Sequence, residues 1–318
     1  MLWWLVIGTG APLAAVIGLA FGAVLARLDA RRERSTQGLG DEWSVVILAD
    51  RRRDRWGAAI AVAGWLCVVV LHAFATSVFA WWPFIVPFVG GVLGVCLVGL
   101  PSSGERALRT AAGVTVDHRR RSWLAFVSPV AASTGIAVFV VMVVTVLAAG
   151  AMSSPDDSGR FTQFTMPVGD GTAGTLFFGW YFGVPVLVGT MILAGTTWFW
   201  LSHGARTPIA AQGRFSDEFL RRQRASALLR IATAATCVVI GEAWALIARA
   251  AQLTITIPGT GAGVIEFGTS FAAIGSILAV AAYMLQGSGL ALLVAVLIRR
   301  RLPALPQPTR AEPAAAKA

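Results

Sequence analysis

The sequence predicts an all-α fold: a polytopic transmembrane bundle of about seven spans, N-terminus outside and C-terminus cytoplasmic. Three observations predict it. The chain has 318 residues, 56% hydrophobic and only 13% charged. A soluble domain has about 45–50% apolar and about 25% charged residues, so this much apolar surface calls for lipid as solvent. Seven apolar runs reach the roughly 20 residues that cross a hydrocarbon core. Finally, 23 of the 26 Lys and Arg residues lie in four segments, 27–56, 101–122, 203–224 and 299–318. Cytoplasmic loops retain positive charge and exported loops do not, so this alternation sets class, span count and orientation together.

The runs fall at about 3–26, 57–80, 83–100, 123–151, 174–201, 225–248 and 267–298. Every backbone N–H and C=O within lipid must be satisfied internally. The runs are too long and too uniformly apolar for barrel strands, so helices are expected. The first run is read as an uncleaved anchor. No basic region precedes it, and Arg27, Arg31, Arg32 and Arg34 follow it, which holds that end inside. Segment 27–56 is then inside with eight Arg, the turn at 81–82 outside with no charge, and 101–122 inside with five Arg. Loop 152–173 is outside with Arg160 against Asp156, Asp157 and Asp170. Segment 203–224 is inside with five Arg, and loop 249–266 is outside with Arg249 and Glu266. Residues 1–301 form one membrane domain, and the Pro- and Ala-rich tail, 302–318, is expected to be disordered on the inner side. Trp3, Trp4, Trp81 and Trp82 at outer boundaries, and Trp56, Trp123, Trp198 and Trp200 at inner ones, fit the preference of indole for the headgroup level.

The net charge of +10 is explained by topology and by attraction to anionic headgroups. No nucleic-acid reader motif accompanies it, and no nucleic-acid partner is expected. The inner segments share a style. Asp50-Arg51-Arg52-Arg53 precedes Trp56, Asp117-His118-Arg119-Arg120-Arg121 precedes Trp123, and Arg221-Arg222-Gln223-Arg224 precedes the sixth run. A pairwise repeat is one reading. The simpler one is three stop signals meeting headgroups. Trp43 to Ala49 is expected to lie on the membrane surface. Cys67, Cys96 and Cys237 lie in apolar runs, so no disulfide framework is expected. Gly18 with Gly22, Gly90 with Gly94, and Gly179 with Gly183 have the small-xxx-small spacing of close helix packing.

Candidate chemistry is confined to a few polar groups. Glu242 is the acid deep in a run, and a charge there costs at least about 2.5–3.5 kcal/mol at the bilayer centre. His72, Tyr181 and Ser276 fall at a similar depth, with Arg249 two turns along from Glu242. A Glu242–His72 pair could take a proton or a cation; the structural alternative is a protonated Glu242 bonded within the bundle. Gln286, in Gln286-Gly287-Ser288-Gly289, marks either a broken helix at a midplane site or close packing. Pro129 and Pro185 mark a first turn or a kink.

Other chemistries fail on the residues. A rhodopsin-like Schiff base needs a lysine in a span, and Lys317 is in the tail. His118 and His203 lie at the inner side, away from His72, which leaves no bis-His haem. Gln286 stands where a rhomboid-type protease pattern has glycine. No P-loop is present, and the acids of the outer loop are too few and irregular for a Ca²⁺ loop. No catalytic, cofactor or metal residues are expected. With 25 of the 26 basic residues Arg and with Arg-rich inner loops, the chain resembles the uncharacterised multi-span integral membrane proteins of actinobacteria. That resemblance implies a bacterial plasma-membrane location and no activity. Two functions are expected: a non-catalytic component or accessory of a transport or envelope complex, with a membrane-protein partner or a second copy; or a small-solute or ion transporter using Glu242 and His72.

Overall fold

The structure, a computed structural model, describes residues 11–34, 41–74, 81–101, 105, 122–168, 171–207, 214–258 and 264–298. Among these, seven α-helices follow in order: α1 (Ala11–Arg34), α2 (Asp41–Phe74), α3 (Trp82–Gly99), α4 (Pro129–Ala151), α5 (Trp180–Arg206), α6 (Arg214–Ala251) and α7 (Ala272–Ile298). A 3-10 turn, Trp123–Phe126, precedes α4. Five helices, α3 to α7, are long and apolar enough to cross a membrane, and α1 carries a shorter apolar stretch, Ala14–Leu28. The chain is therefore mostly helical with the character of a membrane-embedded protein. Trp3, Trp4, the 117–121 cluster and the tail lie outside the described residues.

α6 is the centre of the bundle. It packs against α2, α3, α4, α5 and α7, while α1 lies against α7. Its apolar window is 72% buried, against 22% for α4, so α4 is a peripheral helix. Local chemistry sets the helix starts. Pro129 occupies the first turn of α4, where its missing N–H costs nothing, and the Ser128 hydroxyl accepts from the Ala131 N–H at 3.4 Å. Pro185 lies inside α5 and Pro87 inside α3.

Two features depart from the sequence reading. First, α2 is one unbroken helix of 34 residues, so Trp43 to Ala49 is its N-terminal part and not a separate surface segment. At 1.5 Å per residue it is about 50 Å long, well beyond a core of about 30 Å. α6, at 38 residues, is likewise extended through the Arg-rich segment. Second, the fold is not purely helical. The two connections read as outer loops contain strands β1 (Ser154–Pro155), β2 (Phe161–Val168) and β3 (Gly171–Leu176) in one sheet, and β4 (Thr254–Pro258) and β5 (Val264–Gly268) in another. In the first, Val168 pairs with Gly171, which leaves two residues for the turn. In the second, Thr254-Ile255-Thr256-Ile257 alternates with the period of a strand. Phe164 on β2 meets Phe271, just before α7, at 4.9 Å between ring centroids. Both hairpins thus sit at one end of the bundle. Open sheet edges cannot be satisfied in hydrocarbon, so that end lies beyond the lipid core.

Glycines set the closest helix contacts. A Cβ on Gly18 would lie 2.6 Å from Leu290 Cβ, and one on Gly22 would lie 2.7 Å from Val294 Cβ, so this pair is the seam between α1 and α7. Gly90 and Gly94 face Gly64 and Gly57 of α2 in the same way. The third pair divides: Gly183 packs on Val146 of α4, whereas Gly179 lies before α5 against Ser153.

At the strand-bearing end, Asp156 and Arg160 form an ion pair. The Asp156 carboxylate accepts from the amide N–H groups of Ser158 and Arg160 (both 2.9 Å), from the Thr162 hydroxyl (3.1 Å) and from the Arg160 guanidinium (2.8 Å). Gly159, with φ of +76°, closes the turn. Burial raises the Asp156 pKa, but the bonds from Arg160, Ser158 and Thr162 outweigh it and hold the carboxyl at about 2. The ordinary value is about 3.9. A depressed folded-state pKa stabilises the turn above about pH 4 and stops doing so as pH falls through about 2. Protease resistance of the 152–173 segment is therefore expected to fall between about pH 4 and 2, and Asp156→Asn should remove that pH dependence. Resistance that keeps the same pH profile in Asp156→Asn would exclude this carboxyl as its source.

Candidate functional site

Of the residues singled out in the spans, two meet among the described side chains. Gln286 Nε2 donates to Glu242 Oε1 at 3.1 Å, across the interface of α6 and α7. Gln286 is buried. The contact around the pair is tight: a Cβ on Gly241 would lie 2.5 Å from Gln286 Cγ and 2.7 Å from the Ala282 carbonyl oxygen. Arg249 stands seven residues after Glu242 on α6, two turns along, and is exposed.

Ser276 and Tyr181 lie elsewhere. Ser276 is exposed, and its hydroxyl accepts from Gln252 Nε2 at 3.5 Å. It stands ten residues before Gln286 on α7, about 15 Å along the axis. Tyr181 opens α5, with the Arg160 guanidinium 5.6 Å from its ring centroid and the Phe182 ring 5.1 Å away. It belongs to the strand-bearing end. His72 is in the last described turns of α2, and its side chain lies outside the described residues.

A polar cluster that the sequence reading did not assemble occupies the Arg-rich end. Arg224 on α6 reaches Asp50 of α2 at 2.8 Å, and it grips Glu105, in the segment after α3, with both terminal nitrogens at 2.5 and 3.3 Å. Arg53 pairs with Asp50 and also donates to the Leu100 carbonyl. Arg51 Nε donates to Gln223 Oε1 at 3.5 Å. Arg221 is held by Asp217 at 3.0 Å and donates to the carbonyls of Gly204 and Thr207 at 2.5 and 3.0 Å, closing over the end of α5. Asp50, Arg51, Asp54, Glu105, Asp217, Arg221 and Gln223 are all buried.

These partners revise the reading of the Arg segments. The motifs around residues 50–53 and 221–224 bond to each other, and of their arginines only Arg52 and Arg222 are exposed. A signal was available. The buried stripe Ala58, Ala61, Trp65, Val68 on α2 continues backwards through Asp54, Asp50 and Ile47 at the three- and four-residue spacing of one helix face. The charges lie on the core stripe.

A third feature is a lateral cleft of about 270 Å³ between α4, α5 and α6, walled by residues such as Ala132, Gly135, Ala194, Leu229 and Thr233. Three of its threonines satisfy their own helices: Thr190 donates to Val186 O (2.6 Å), Thr197 to Leu193 O (2.7 Å) and Thr236 to Ala232 O (3.0 Å). At its Arg-rich end it shares Trp123 and Leu201 with a small cavity of about 30 Å³ that Arg221 and Arg224 border. Deeper towards the strands, Trp244 on α6 donates its indole N–H to Thr145 of α4 at 3.0 Å.

No protein-family model, no curated protein and no solved structure matches this chain.

Proposed function

We propose that the protein is a non-catalytic component of a bacterial plasma membrane, an accessory to a transport or envelope system, with seven spans, N-terminus outside and C-terminus cytoplasmic. The observation that carries this reading is the packing of the Glu242–Gln286 pair. The polar groups that would serve a solute are spent on a helix contact with no room for a methyl group at Gly241. A polar pair of this kind acts as glue between helices where lipid offers no hydrophobic drive to associate. The topology has its own support. Segments near residues 50, 105, 206 and 221, which the Arg count assigns to the cytoplasm, meet at one end through ion pairs and hydrogen bonds. The exported segments meet at the other through Phe164 and Phe271. An actinobacterial origin fits the preference for Arg over Lys.

The competing reading is a proton-coupled solute or ion transporter working through Glu242 and His72, and Glu242 separates the two. As a helix clasp, Glu242→Gln still accepts from Gln286, so folding and abundance stay near wild type. Glu242→Leu leaves the Gln286 amide unpaired and lowers stability by about 1–2 kcal/mol, the range of interhelical bonds in membranes. Unfolding in detergent measures both. The decisive readout is dissipation of a pH gradient in proteoliposomes. A wild-type proton flux that Glu242→Gln abolishes, with folding intact, would establish transport and overturn the component reading.

A further inference from the structure

We infer that the open edge of β3 pairs with the same edge of a second copy of the chain, forming a two-fold antiparallel strand pair over the strand-bearing end. An unpaired strand edge is a template for another strand, and proteins blunt such edges with proline, charge, bulges or shortness. The other described edges are blunted. β1 has two residues, one of them Pro155, and a register shift. Beyond the reach of β1, the open side of β2 carries Pro167. β4 ends in Pro258, and β5 contains Glu266. β3 is the far edge of its sheet. It reads Gly171-Thr172-Ala173-Gly174-Thr175-Leu176, six residues with no charge and no proline.

The register shows which backbone groups face outward. Pro167 pairs with Thr172. Proline has no N–H to give, so this is a pair that exchanges no ladder bonds. Thr172 and, two residues on, Gly174 therefore turn their N–H and C=O groups away from β2. Both residues are exposed, and neither side chain is large enough to keep another strand away.

The choice of a second copy follows from how the sheet lies. Thr162 and Met166 are buried, whereas Phe161, Thr165 and Pro167 are exposed, so one face of the sheet is turned to the bundle. That face meets the ends of three helices: β2 lies against α5, β3 against α6, and Phe164 meets Phe271 just before α7. A sheet in contact with three helix ends lies across the bundle, with its normal along the bundle axis. The two-fold axis of an antiparallel strand pair is perpendicular to the sheet, so here it runs along the membrane normal. Two copies inserted the same way are related by that axis, and the contact closes at a dimer. With Ala173 on the axis, Thr172 of each copy exchanges backbone bonds with Gly174 of the other. An unrelated strand would need no such alignment. The inference holds for a component or a transporter alike.

The test is disulfide trapping in membranes, in a background carrying Cys67→Ala, Cys96→Ala and Cys237→Ala. The Cα atoms of an opposed pair of this kind lie about 4.5 Å apart, within reach of a disulfide. On mild oxidation Ala173→Cys should give a covalent species of twice the chain mass. Thr165→Cys, exposed on β2 of the same sheet, should not. Charge then checks the register. The nearest neighbour of a Cβ at Gly174 is Gln163 Oε1 at 2.7 Å, the end of a side chain that can swing away. Adding Thr172→Lys with Gly174→Lys should cut trapping about tenfold, because like charges then face each other on both sides of the axis. Thr172→Lys with Gly174→Glu should restore it, which separates loss of pairing from loss of fold. Absence of the double-mass species from Ala173→Cys, an adduct of any other mass in its place, or equal trapping in the two-lysine and the lysine–glutamate proteins would overturn the dimer.

Discussion

Arg224→Ala is expected to lower the stability of the folded protein by about 3–5 kcal/mol, the range for removing one partner of a buried ion pair. Arg224 bonds both Asp50 and Glu105, and those carboxylates are 2% and 1% exposed as residues. Removing the guanidinium strips the bidentate partner from Glu105 and leaves Asp50 with Arg53, so buried negative charge is left undercompensated. The acids must then ionise at high cost or take up protons. Arg224→Lys should recover only part of the loss, since an ammonium cannot grip Glu105 with two nitrogens while reaching Asp50. The triple variant Arg224→Leu, Asp50→Asn, Glu105→Gln should recover most of it, because a neutral cluster of similar shape removes the charge penalty. Chemical or thermal unfolding in detergent measures all three. Salt distinguishes the mechanisms, as buried pairs are screened far less than exposed ones. If Arg224→Ala unfolds at the wild-type midpoint, Asp50 and Glu105 are hydrated and the cluster does not hold α2, α6 and the segment after α3 together.

That cluster also marks the limit of what the sequence conveys. Hydropathy and the Arg alternation locate the apolar runs, because lipid imposes one requirement on every span: a long apolar helix with its backbone satisfied internally. They convey the grouping of loops at two ends for the same reason. What they omit is the azimuth of each charge. The excess of arginine on one side of a membrane says nothing about which face of a helical extension carries it. Arg52 and Arg51 are neighbours in sequence, yet one is exposed and the other buried. Only the continuation of the core stripe through Asp50 and Asp54 separates them. The hairpins were legible in part. Thr254 to Ile257 alternates strictly, and Gly169-Asp170 is a two-residue hairpin turn signal after Phe161 to Val168. Both lie in short polar connections where charge counting directs attention to sides and not to local structure. Among the span residues, Glu242 and Gln286 were legible as a set because each is polar in an apolar run. Tyr181 was separated from them by its position at the head of α5, where Arg160 covers it.

The second large effect concerns α1. Gly18→Leu combined with Gly22→Leu is expected to detach α1 from α7. The two backbones approach so closely that a Cβ at Gly22 would lie 2.9 Å from the Ala291 carbonyl oxygen, besides meeting Val294. A carbonyl in a helix cannot rotate away, so the helices must part. Overpacking costs about 1–3 kcal/mol per site, and the two sites share one seam, so their effects are not simply additive. In water, apolar burial would resist separation. In lipid the tails solvate a freed apolar helix as well as the bundle does, and close packing is the main attraction left. α1 depends heavily on that packing, because α7 is its main neighbour, Ala14 joins Trp65, Val238 and Leu290 in a small buried cluster at one point, and Val16, Leu19, Phe21 and Val24 are exposed. With a protease site introduced between residues 35 and 40, cleaved wild-type protein should keep α1 through size exclusion in mild detergent, and the double-leucine variant should lose it. Leu19→Ala with Val24→Ala, on the exposed face, is the matched control and should retain α1. Release of α1 from the control, or retention by the double-leucine protein, would show that something other than the glycine seam holds the helix.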